Sequence, residues 1–579
     1  MTYANNPKRR VFILGLDGAT FDIIKPLIEK GELPTFKKMI EGGVHGTLWS
    51  TIPTVSAPAW TSFATGKNCG KHSIIGFTKR DRNYNGYRIR YLTGNDNKSL
   101  TLWDVLSRKG KSVVVINVPM TYPPKKVNGI LVSGSDAVDT DANFTFPQSF
   151  KEEIFKISSD YKINLILGGY LSDDKRRHKA LDMILSSIDA RQRLVLHLMD
   201  NVKWDLFVVK FNNPDTIQHH FWNYMDPTHP YHDPACDDTL KHAIFSVYKK
   251  LDDVLASIIN KLDDNTTLIV MSDHGSGQRI NKAIYLNEWL MTMGFLSKKS
   301  KRPGRFALSD ILYNLMEKVL ALLLKNLPPK IKATIKRYLP GAISRATSYF
   351  KLSGIDWDKT KAFVGEVESI RINLKGEYPH GQVNNGKEYE ELREIIIREI
   401  MHLKDPETGE NVIEKAFKRE ELYSGPYVEE FPDIILVPKD NKYDISWKFF
   451  REKKATRLGD SFVVRQKHWR GTSGMHRLNG IFIMKGKDSK RGVEIANANI
   501  IDIFPTVMYQ MGLPIPDDVD GKVLTDIFSS EFLKANPVQY EQPLKSDKET
   551  EEPVLTKEVY SQEEAGKVKE FLQELGYIE

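Results

Sequence analysis

Residues 11–18 read VFILGLDG, an apolar run that is followed by Asp17 and Gly18. Near-continuous apolar runs are typical of strands that are buried on both faces of a parallel sheet. Similar runs follow at residues 113–116, 206–209 and 268–271. Between the last two runs, apolar residues lie on one helical stripe made of Ile244, Val247, Leu251, Leu255, Ile258 and Leu262. The pattern predicts an α/β fold with a mostly parallel central sheet.

Length and composition exclude several classes of protein. The chain has 579 residues, 41% of them hydrophobic and 27% charged, so it is neither disordered throughout nor a collagen. Its two cysteines, Cys69 and Cys236, exclude a disulfide scaffold and a cysteine-rich metal site, and they fit a reducing compartment. The apolar run at residues 11–16 is too short for a signal-peptide core or a membrane span. We therefore expect a cytoplasmic protein.

The basic charge is concentrated in one segment. The net charge of the chain is +8, but residues 297–352 carry 13 basic and two acidic residues, so the rest of the chain is acidic. The same segment has a broad apolar face made of Ile311, Leu312, Leu315, Met316, Val319, Leu322 and Leu323. Two interpretations stay open: a helical cap over the active site, or an interfacial helix that binds an anionic membrane surface through residues 298–351. Nucleic acid is disfavoured because few aromatic residues are interleaved with the basic ones.

Changes in composition and in the pattern of apolar residues along the chain predict the domain organisation. Residues 9–296 form the first part of a catalytic core, and residues 297–354 form a basic amphipathic helical insertion. The core resumes at residues 355–530, with strands expected at 434–437 and 481–484. Residues 531–556 are polar and predict a linker. Residues 557–579 predict a helix that docks on the core, with a capping box at Ser561 and Glu564 and an apolar stripe made of Val568, Phe571, Leu572 and Leu575.

Potential metal ligands follow the predicted strands, at the edge where open α/β sheets bind their ligands. The four-residue spacing of Asp215 and His219 places both on one side of a helix. Asp273 and His274 are adjacent in a glycine-rich turn. Each residue alone has an ordinary interpretation, such as a capping Asp or a surface His. Together they supply three nitrogen or oxygen ligands for each of two divalent ions: Asp17, Asp215, His219, Asp273, His274 and His476.

Such a pair of ions favours one kind of chemistry. Two neighbouring divalent ions stabilise the attacking and leaving oxygens of an in-line displacement, which predicts phosphoryl or sulfuryl transfer. A hydroxyl nucleophile is available in residues 52–60, IPTVSAPAW, where either Ser56 or Thr54 could serve.

These segments, in this order, resemble the alkaline phosphatase superfamily and, within it, the prokaryotic group of the type I phosphodiesterase/nucleotide pyrophosphatase family. The resemblance rests on residues 14–18, 53–58, 117–124, 213–219, 272–275, 474–476 and 502–507. It implies an alkaline-phosphatase-like three-layer sandwich with a mostly parallel central sheet, into which the basic helical segment is inserted.

The resemblance also implies a role for each matched residue. Ser56 is the implied nucleophile, which forms a covalent phosphoserine that water then hydrolyses. The implied ligands of the first ion are Asp17, Ser56, Asp273 and His274, and those of the second ion are Asp215, His219 and His476. Zinc is the usual metal of such sites, and the same ligands suit manganese or iron.

Two departures from related patterns bear on the substrate. Nucleotide pyrophosphatases of this group have a threonine nucleophile with asparagine three residues later, whereas Ser56 is followed by Ala59. Related sulfatases require arginine where this chain has Trp60, which disfavours a sulfatase. We therefore expect a metal-dependent phosphodiesterase whose phosphoester substrate is lipid-linked or bulky. The alternatives are a phosphomonoesterase or phosphomutase of the same superfamily, or a non-catalytic metal-binding scaffold at the membrane.

Overall fold

The computed structural model describes residues 9–81, 88–137, 139–171, 173–299, 354–447, 449, 455–457, 461–466, 472–544, 560 and 562–574. Most of the predicted basic insertion, residues 300–353, lies outside the described residues. Within the described part of the chain, no helix is both long and apolar enough to cross a membrane.

The elements are numbered along the chain. The strands are β1 (Arg10–Leu16), β2 (Val44–Trp49), β3 (Thr78–Asp81), β4 (Arg88–Tyr91), β5 (Val113–Val118), β6 (Gly129–Ser133), β7 (Thr145–Phe146), β8 (Leu206–Phe211), β9 (Thr266–Met271), β10 (Gly275–Gln278), β11 (Lys282–Tyr285), β12 (Ala362–Val364), β13 (Ser369–Ile372), β14 (Ile413–Lys418), β15 (Ile434–Pro438), β16 (Asp444–Ser446), β17 (Ala455–Arg457), β18 (Val463–Gln466), β19 (Gly474–Arg477), β20 (Asn479–Lys485), β21 (Val493–Asn499), β22 (Ile515–Pro516) and β23 (Tyr540–Glu541). The α-helices are α1 (Phe21–Glu29), α2 (Pro34–Gly42), α3 (Ser56–Thr65), α4 (Cys69–His72), α5 (Leu102–Arg108), α6 (Phe150–Ile157), α7 (Asp174–Asn201), α8 (Asn213–Met225), α9 (Asp238–Lys241), α10 (Ala243–Ile259), α11 (Leu286–Thr292), α12 (Lys387–Ile400), α13 (Arg419–Leu422), α14 (Ile503–Gln510), α15 (Ser530–Ala535) and α16 (Gln562–Glu574). Short 3₁₀ segments occur at Gly168–Tyr170, Val428–Glu430, Lys439–Asn441, Ile500–Asp502 and Thr525–Ile527.

A nine-stranded sheet in the described residues forms the centre of the molecule, in the order β21-β2-β20-β9-β1-β8-β5-β6-β7. The five strands from β9 to β6 run parallel to one another. β20 is antiparallel to both of its neighbours, and β7 is antiparallel to β6. The prediction of a mostly parallel central sheet is therefore confirmed.

Helices cover both faces of this sheet because the side chains of β1 alternate between two apolar cores. Phe12 and Leu14 pack in one core, which includes the buried faces of α1, α2, α7 and α10. Val11 and Ile13 pack in the other core, which includes those of α3, α5 and α14. Burial on both sides explains the unbroken apolar runs in the sequence. The result is the three-layer sandwich that the resemblance implies.

The order of the strands brings distant parts of the chain together. β8 and β9 are consecutive strands of the chain, but β1 lies between them in the sheet and pairs in parallel with both. The carboxyl ends of these three adjacent strands therefore meet at one edge of the sheet. This edge carries the predicted ligands.

The predicted strand at residues 434–437 exists as β15, but it belongs to a separate antiparallel sheet of order β12-β13-β15-β14. A second four-stranded sheet has the order β16-β11-β18-β17. We call these two sheets, with α11 and α12, the side lobe; much of it shares one apolar core. The central sheet resumes only at β20, which contains the predicted run 481–484. The predicted domain boundaries stay predictions.

The C-terminal segment contains the expected helix, α16. Its Val568 and Leu572 are buried in the same core as Phe12. Lys567 Nζ lies 2.6 Å from Asp139 Oδ2, which fixes the helix near the end of β6. The predicted linker begins with α15 and β23, and residues 545–559 lie outside the described residues, as do Ser561 and Leu575.

Candidate active site

Four short segments place the predicted ligands at the carboxyl edge of the central sheet. Asp17 follows β1 directly, and Asp273 and His274 follow β9 after one residue. α8 begins two residues after β8 and carries Asp215 in its first turn. His476 arrives differently, from β19, which pairs with β10 in antiparallel register. Parallel strands ending at one edge explain why ligands more than 250 residues apart in sequence meet.

The first half of the site consists of Asp17, Asp273 and His274. All three are buried, and each offers a ligand atom within 4.8 Å of the other two. His274 Nε2 lies 3.3 Å from Asp273 Oδ2 and 3.6 Å from Asp17 Oδ1. Gly18 donates its backbone N–H to Asp273 Oδ1 over 3.2 Å, which ties the two strand ends together.

The second half consists of Asp215, His219 and His476. Asp215 Oδ1 lies 3.2 Å from His219 Nε2 and 3.3 Å from His476 Nε2. The His476 ring stacks on the His274 ring with 3.8 Å between their centroids, so the two halves adjoin. Asp215, His274 and His476 themselves form a second group of ligand atoms within 4.8 Å.

The imidazoles are oriented by backbone carbonyl groups. His219 Nδ1 lies 3.0 Å from the Gly474 carbonyl oxygen, and His476 Nδ1 lies 2.9 Å from that of Thr54. His274 Nδ1 lies 3.0 Å from the Gly275 carbonyl oxygen. A carbonyl accepts only from a protonated nitrogen, so each neutral ring carries its proton on Nδ1 and presents the lone pair of Nε2.

This orientation fits divalent ions. His219 Nε2 and His476 Nε2 are only 3.0 Å apart, and two lone pairs at that distance repel unless a cation lies close to both. Among the described residues, Asp215 Oδ1 and Asp273 Oδ2 are buried oxygens without a hydrogen-bond donor. Buried carboxylates normally have such partners or coordinate a metal. The donor set of imidazole nitrogens and carboxylate oxygens suits zinc, manganese or iron.

The two halves perturb their carboxyl groups in opposite directions. Burial and the adjacent Asp17 carboxylate raise the pKa of Asp273 well above its usual value. Burial also opposes ionisation of Asp215, but His219 and His476 outweigh it and hold the pKa of Asp215 well below the usual value. Burial and the neighbouring His476 lower the pKa of His274 to about 3, so this ring is neutral. Burial would lower the pKa of His476, but Asp215 outweighs it and raises that pKa.

The structure distinguishes between the two candidate nucleophiles. Ser56 is the first residue of α3, and its Oγ lies 3.3 Å from Asp17 Oδ1 and 3.1 Å from His274 Nε2. Thr54 Oγ1 lies 3.4 Å from the Asn441 side-chain amide instead. Ser56 therefore contacts the ligand cluster through its hydroxyl, whereas Thr54 supports His476 through its carbonyl oxygen. All seven predicted side chains come together, and their chemical roles stay predictions.

Sequence reasoning missed two buried polar residues at the site. Lys210 in β8 forms an ion pair with Asp17 Oδ2. Gln218 in α8 donates to the Gly18 carbonyl oxygen over 2.9 Å and accepts from the Tyr248 hydroxyl over 3.1 Å. A lysine inside the apolar run LFVVKF was an available signal, because lysine is rarely buried without a partner. Gln218 had no comparable signal in the sequence.

Known proteins resemble this chain in sequence family and in fold. The family model described as type I phosphodiesterase/nucleotide pyrophosphatase matches residues 11–449. Phosphonoacetate hydrolase from Sinorhizobium meliloti 1021 is similar in structure, with a TM-score of 0.51 and 12% identity over 87% of this chain and 96% of that chain. Human ectonucleotide pyrophosphatase/phosphodiesterase 5 gives a TM-score of 0.47 and 12% identity, covering 91% of this chain and 99% of that chain.

The structural likeness at 12% identity concerns the fold alone, and no curated protein matches the sequence. The family match covers most of the chain and includes Asp17, Ser56, Asp215 and Asp273. The chain therefore belongs to the type I phosphodiesterase/nucleotide pyrophosphatase family and is a hydrolase of phosphoric ester bonds.

Proposed function

We propose that this protein is a phosphodiesterase that uses Ser56 as its nucleophile and binds two divalent ions. The observation that carries the proposal is the position of Ser56 Oγ, which contacts both Asp17 and His274 at the edge of a cluster of six residues with nitrogen or oxygen ligand atoms. A serine in such surroundings is placed to attack a phosphorus atom bound over the cluster.

The two halves of the cluster would hold one ion each. Asp17, Asp273, His274 and Ser56 would bind the first, and Asp215, His219 and His476 would bind the second. Bound ions would favour the ionised form of the Ser56 hydroxyl and stabilise negative charge on the phosphoryl oxygens. Zinc is our first choice of metal, and the ligands also suit manganese or iron.

Ser56 performs the bond-making step in this proposal. Its Oγ forms a bond to phosphorus while the bond from phosphorus to one ester oxygen breaks, and the departing alcohol takes up a proton. Water then attacks the same phosphorus, which releases Ser56 and the remaining phosphate ester. The position of Ser56 at the first residue of α3 assists, because the first N–H groups of a helix lack intrahelical acceptors and favour negative charge.

Two other functions would give different results with simple substrates. A phosphomonoesterase or phosphomutase of the same superfamily would prefer a monoester, and a scaffold would bind metal without turnover. The absence of asparagine three residues after Ser56, where Ala59 stands, removes one amide that could contact a charged phosphoryl oxygen. This departure argues against nucleotide substrates in particular.

A panel of p-nitrophenyl phosphate and bis-p-nitrophenyl phosphate, combined with metal analysis, separates these functions. We expect the diester to be the better substrate and its hydrolysis to disappear in Ser56→Ala. Hydrolysis of the monoester alone would contradict the phosphodiesterase. Bound metal without turnover dependent on Ser56 would indicate a scaffold.

We also propose that the enzyme is cytoplasmic and acts at an anionic membrane surface on a lipid-linked phosphodiester. The support is the charge of residues 297–352, which have 13 basic and two acidic residues beside an apolar face. Deleting residues 300–350 should abolish binding to vesicles that contain phosphatidylserine and leave hydrolysis of a soluble diester intact. Unchanged partition onto these vesicles would contradict the membrane proposal.

A further inference from the structure

Lys210 is a buried cation in the middle of the central sheet. It lies in β8, a strand with neighbours on both sides, and only 2% of its surface is exposed. Lysine is almost never fully buried unless it is paired. Its partner is Asp17 Oδ2, so its only ion pair among the described residues is with a proposed metal ligand.

Gly15 and Trp60 are close neighbours of the Lys210 side chain. Lys210 pairs in register with Gly15 on the neighbouring strand β1. A Cβ atom on Gly15 would lie 2.4 Å from Trp60 Cη2, so the absent side chain is what lets the indole pack there. Lys210 Nζ lies 5.8 Å from the centroid of the Trp60 ring. The Trp60 ring therefore lies against Gly15 and close to the ammonium group that pairs with Asp17.

The ion pair divides the two oxygens of Asp17 between different partners. Oδ2 faces Lys210. Oδ1 faces Ser56 Oγ at 3.3 Å and His274 Nε2 at 3.6 Å. A carboxylate that is held through one oxygen presents the other in a fixed direction, as outer partners of metal ligands do.

We propose that Lys210 is a positioning residue of the active site, which holds Asp17 so that Oδ1 faces the nucleophile and the first ion. This inference rests on the ion-binding part of the proposed function. The second half has no counterpart, because the ion pairs of Asp215 within the described residues are with His219 and His476 alone. Loss of Lys210 should therefore affect one ion and spare the other.

Metal titration of stripped protein tests the proposal directly. Full-length protein is freed of metal with a chelator and titrated with Zn²⁺ by calorimetry, and bound metal is counted by mass spectrometry. Lys210→Met should lower the affinity for one of the two ions by about 10- to 100-fold. This is the typical loss when a group that hydrogen-bonds a metal ligand is removed. Lys210→Gln should recover part of this loss, because its amide can still donate to Asp17.

The control is Lys282→Met. Lys282 is also a buried lysine, but it pairs with Asp405 and Glu407 in the side lobe. The Lys282→Met substitution should lower thermal stability and leave both zinc affinities unchanged. The visible absorption of protein loaded with Co²⁺ adds a readout of ligand geometry, which should change in Lys210→Met and not in Lys282→Met.

The outcomes separate this inference from the proposed function. If wild-type protein binds no divalent ion, both are overturned. If wild-type protein binds two ions and both Lys210 variants bind them with unchanged affinity and unchanged Co²⁺ spectrum, only the role of Lys210 is overturned. If the Lys210 variants and Lys282→Met all bind both ions with equally reduced affinity, the cause would be a general loss of stability. That result would also overturn the role of Lys210.

Discussion

The two halves of the active site use similar ligands in different surroundings. The half with Asp17, Asp273 and His274 is fully buried, contacts Ser56 and contains the cation of Lys210. The half with Asp215 has two imidazoles around one carboxylate, and its His476 retains 11% side-chain exposure. The carboxylates of the two halves are therefore paired with different groups: Asp17 with the ammonium group of a lysine, and Asp215 with two imidazole rings.

The largest expected effect tests whether the first half carries the nucleophile. Ser56→Ala should lower turnover of bis-p-nitrophenyl phosphate by at least about 10³-fold, because no other hydroxyl replaces the attacking oxygen. Bound metal, measured by mass spectrometry, should remain. Thr61→Ala is the matched control, since Thr61 lies in the same helix and its hydroxyl donates to the Ala57 carbonyl oxygen over 2.7 Å. Equal loss in both variants would point to damage of α3.

The next effect tests whether each half holds its own ion. Asp273→Asn and Asp215→Asn should each lose one of two bound ions, and the affinity of that ion should fall by more than the roughly 10- to 100-fold caused by losing an outer partner. Metal content and calorimetric titration measure this. Loss of both ions in either variant would show that the halves bind metal as one unit.

A smaller effect distinguishes the halves in metal-free protein. The pKa of Asp273 is higher in the folded protein than in the unfolded chain. Its favourable contribution to stability is therefore present at pH values below its unfolded pKa, and it is lost as the pH rises through its folded pKa. Asp215 has a depressed pKa, so its contribution is present above the unfolded pKa and lost as the pH falls through the folded pKa. At pH 7, Asp273→Asn should therefore raise the free energy of unfolding and Asp215→Asn should lower it.

Urea unfolding with chelator present measures both values. The two differences from wild type should shrink when the pH is lowered to about 3, where Asp side chains become protonated in the unfolded chain. If both substitutions change the free energy of unfolding in the same direction at pH 7, the proposed electrostatic difference between the halves is contradicted.

The smallest effect concerns the connection between the halves. The Tyr248 hydroxyl accepts from the Thr20 backbone N–H over 3.2 Å and donates to Gln218, which links the loop after β1 to α8. Tyr248→Phe should lower the free energy of unfolding by about 1–3 kcal/mol, because two buried groups lose their partner. Turnover should change little. A loss of activity comparable to that of Asp215→Asn would show that this link also governs ligand geometry.

The sequence was most informative where burial and chemistry coincide. The runs in β1, β8 and β9 were recognisable because both faces of these strands are buried. The rule that ligands gather at the carboxyl ends of parallel strands then predicted where Asp17, Asp215 and Asp273 lie.

The local pattern of apolar residues does not predict which distant strands pair with each other. The apolar run 434–437 resembles a core strand, but its antiparallel partners place β15 in the side lobe. The position of β1 between β8 and β9, and the contact between Lys210 and Asp17, depend on strand order and register. These are set by the packing of the whole chain, which a local run of residues does not encode.

Trapping a covalent intermediate on Ser56 would show whether this residue is the nucleophile. Metal-loaded protein is mixed with bis-p-nitrophenyl phosphate, quenched in acid within the first turnover and digested for mass spectrometry. We expect a nitrophenyl phosphoryl group on Ser56 in wild type and none in Ser56→Ala. Full turnover with Ser56 unmodified at every quench time, or the same modification on another residue, would contradict this role of Ser56.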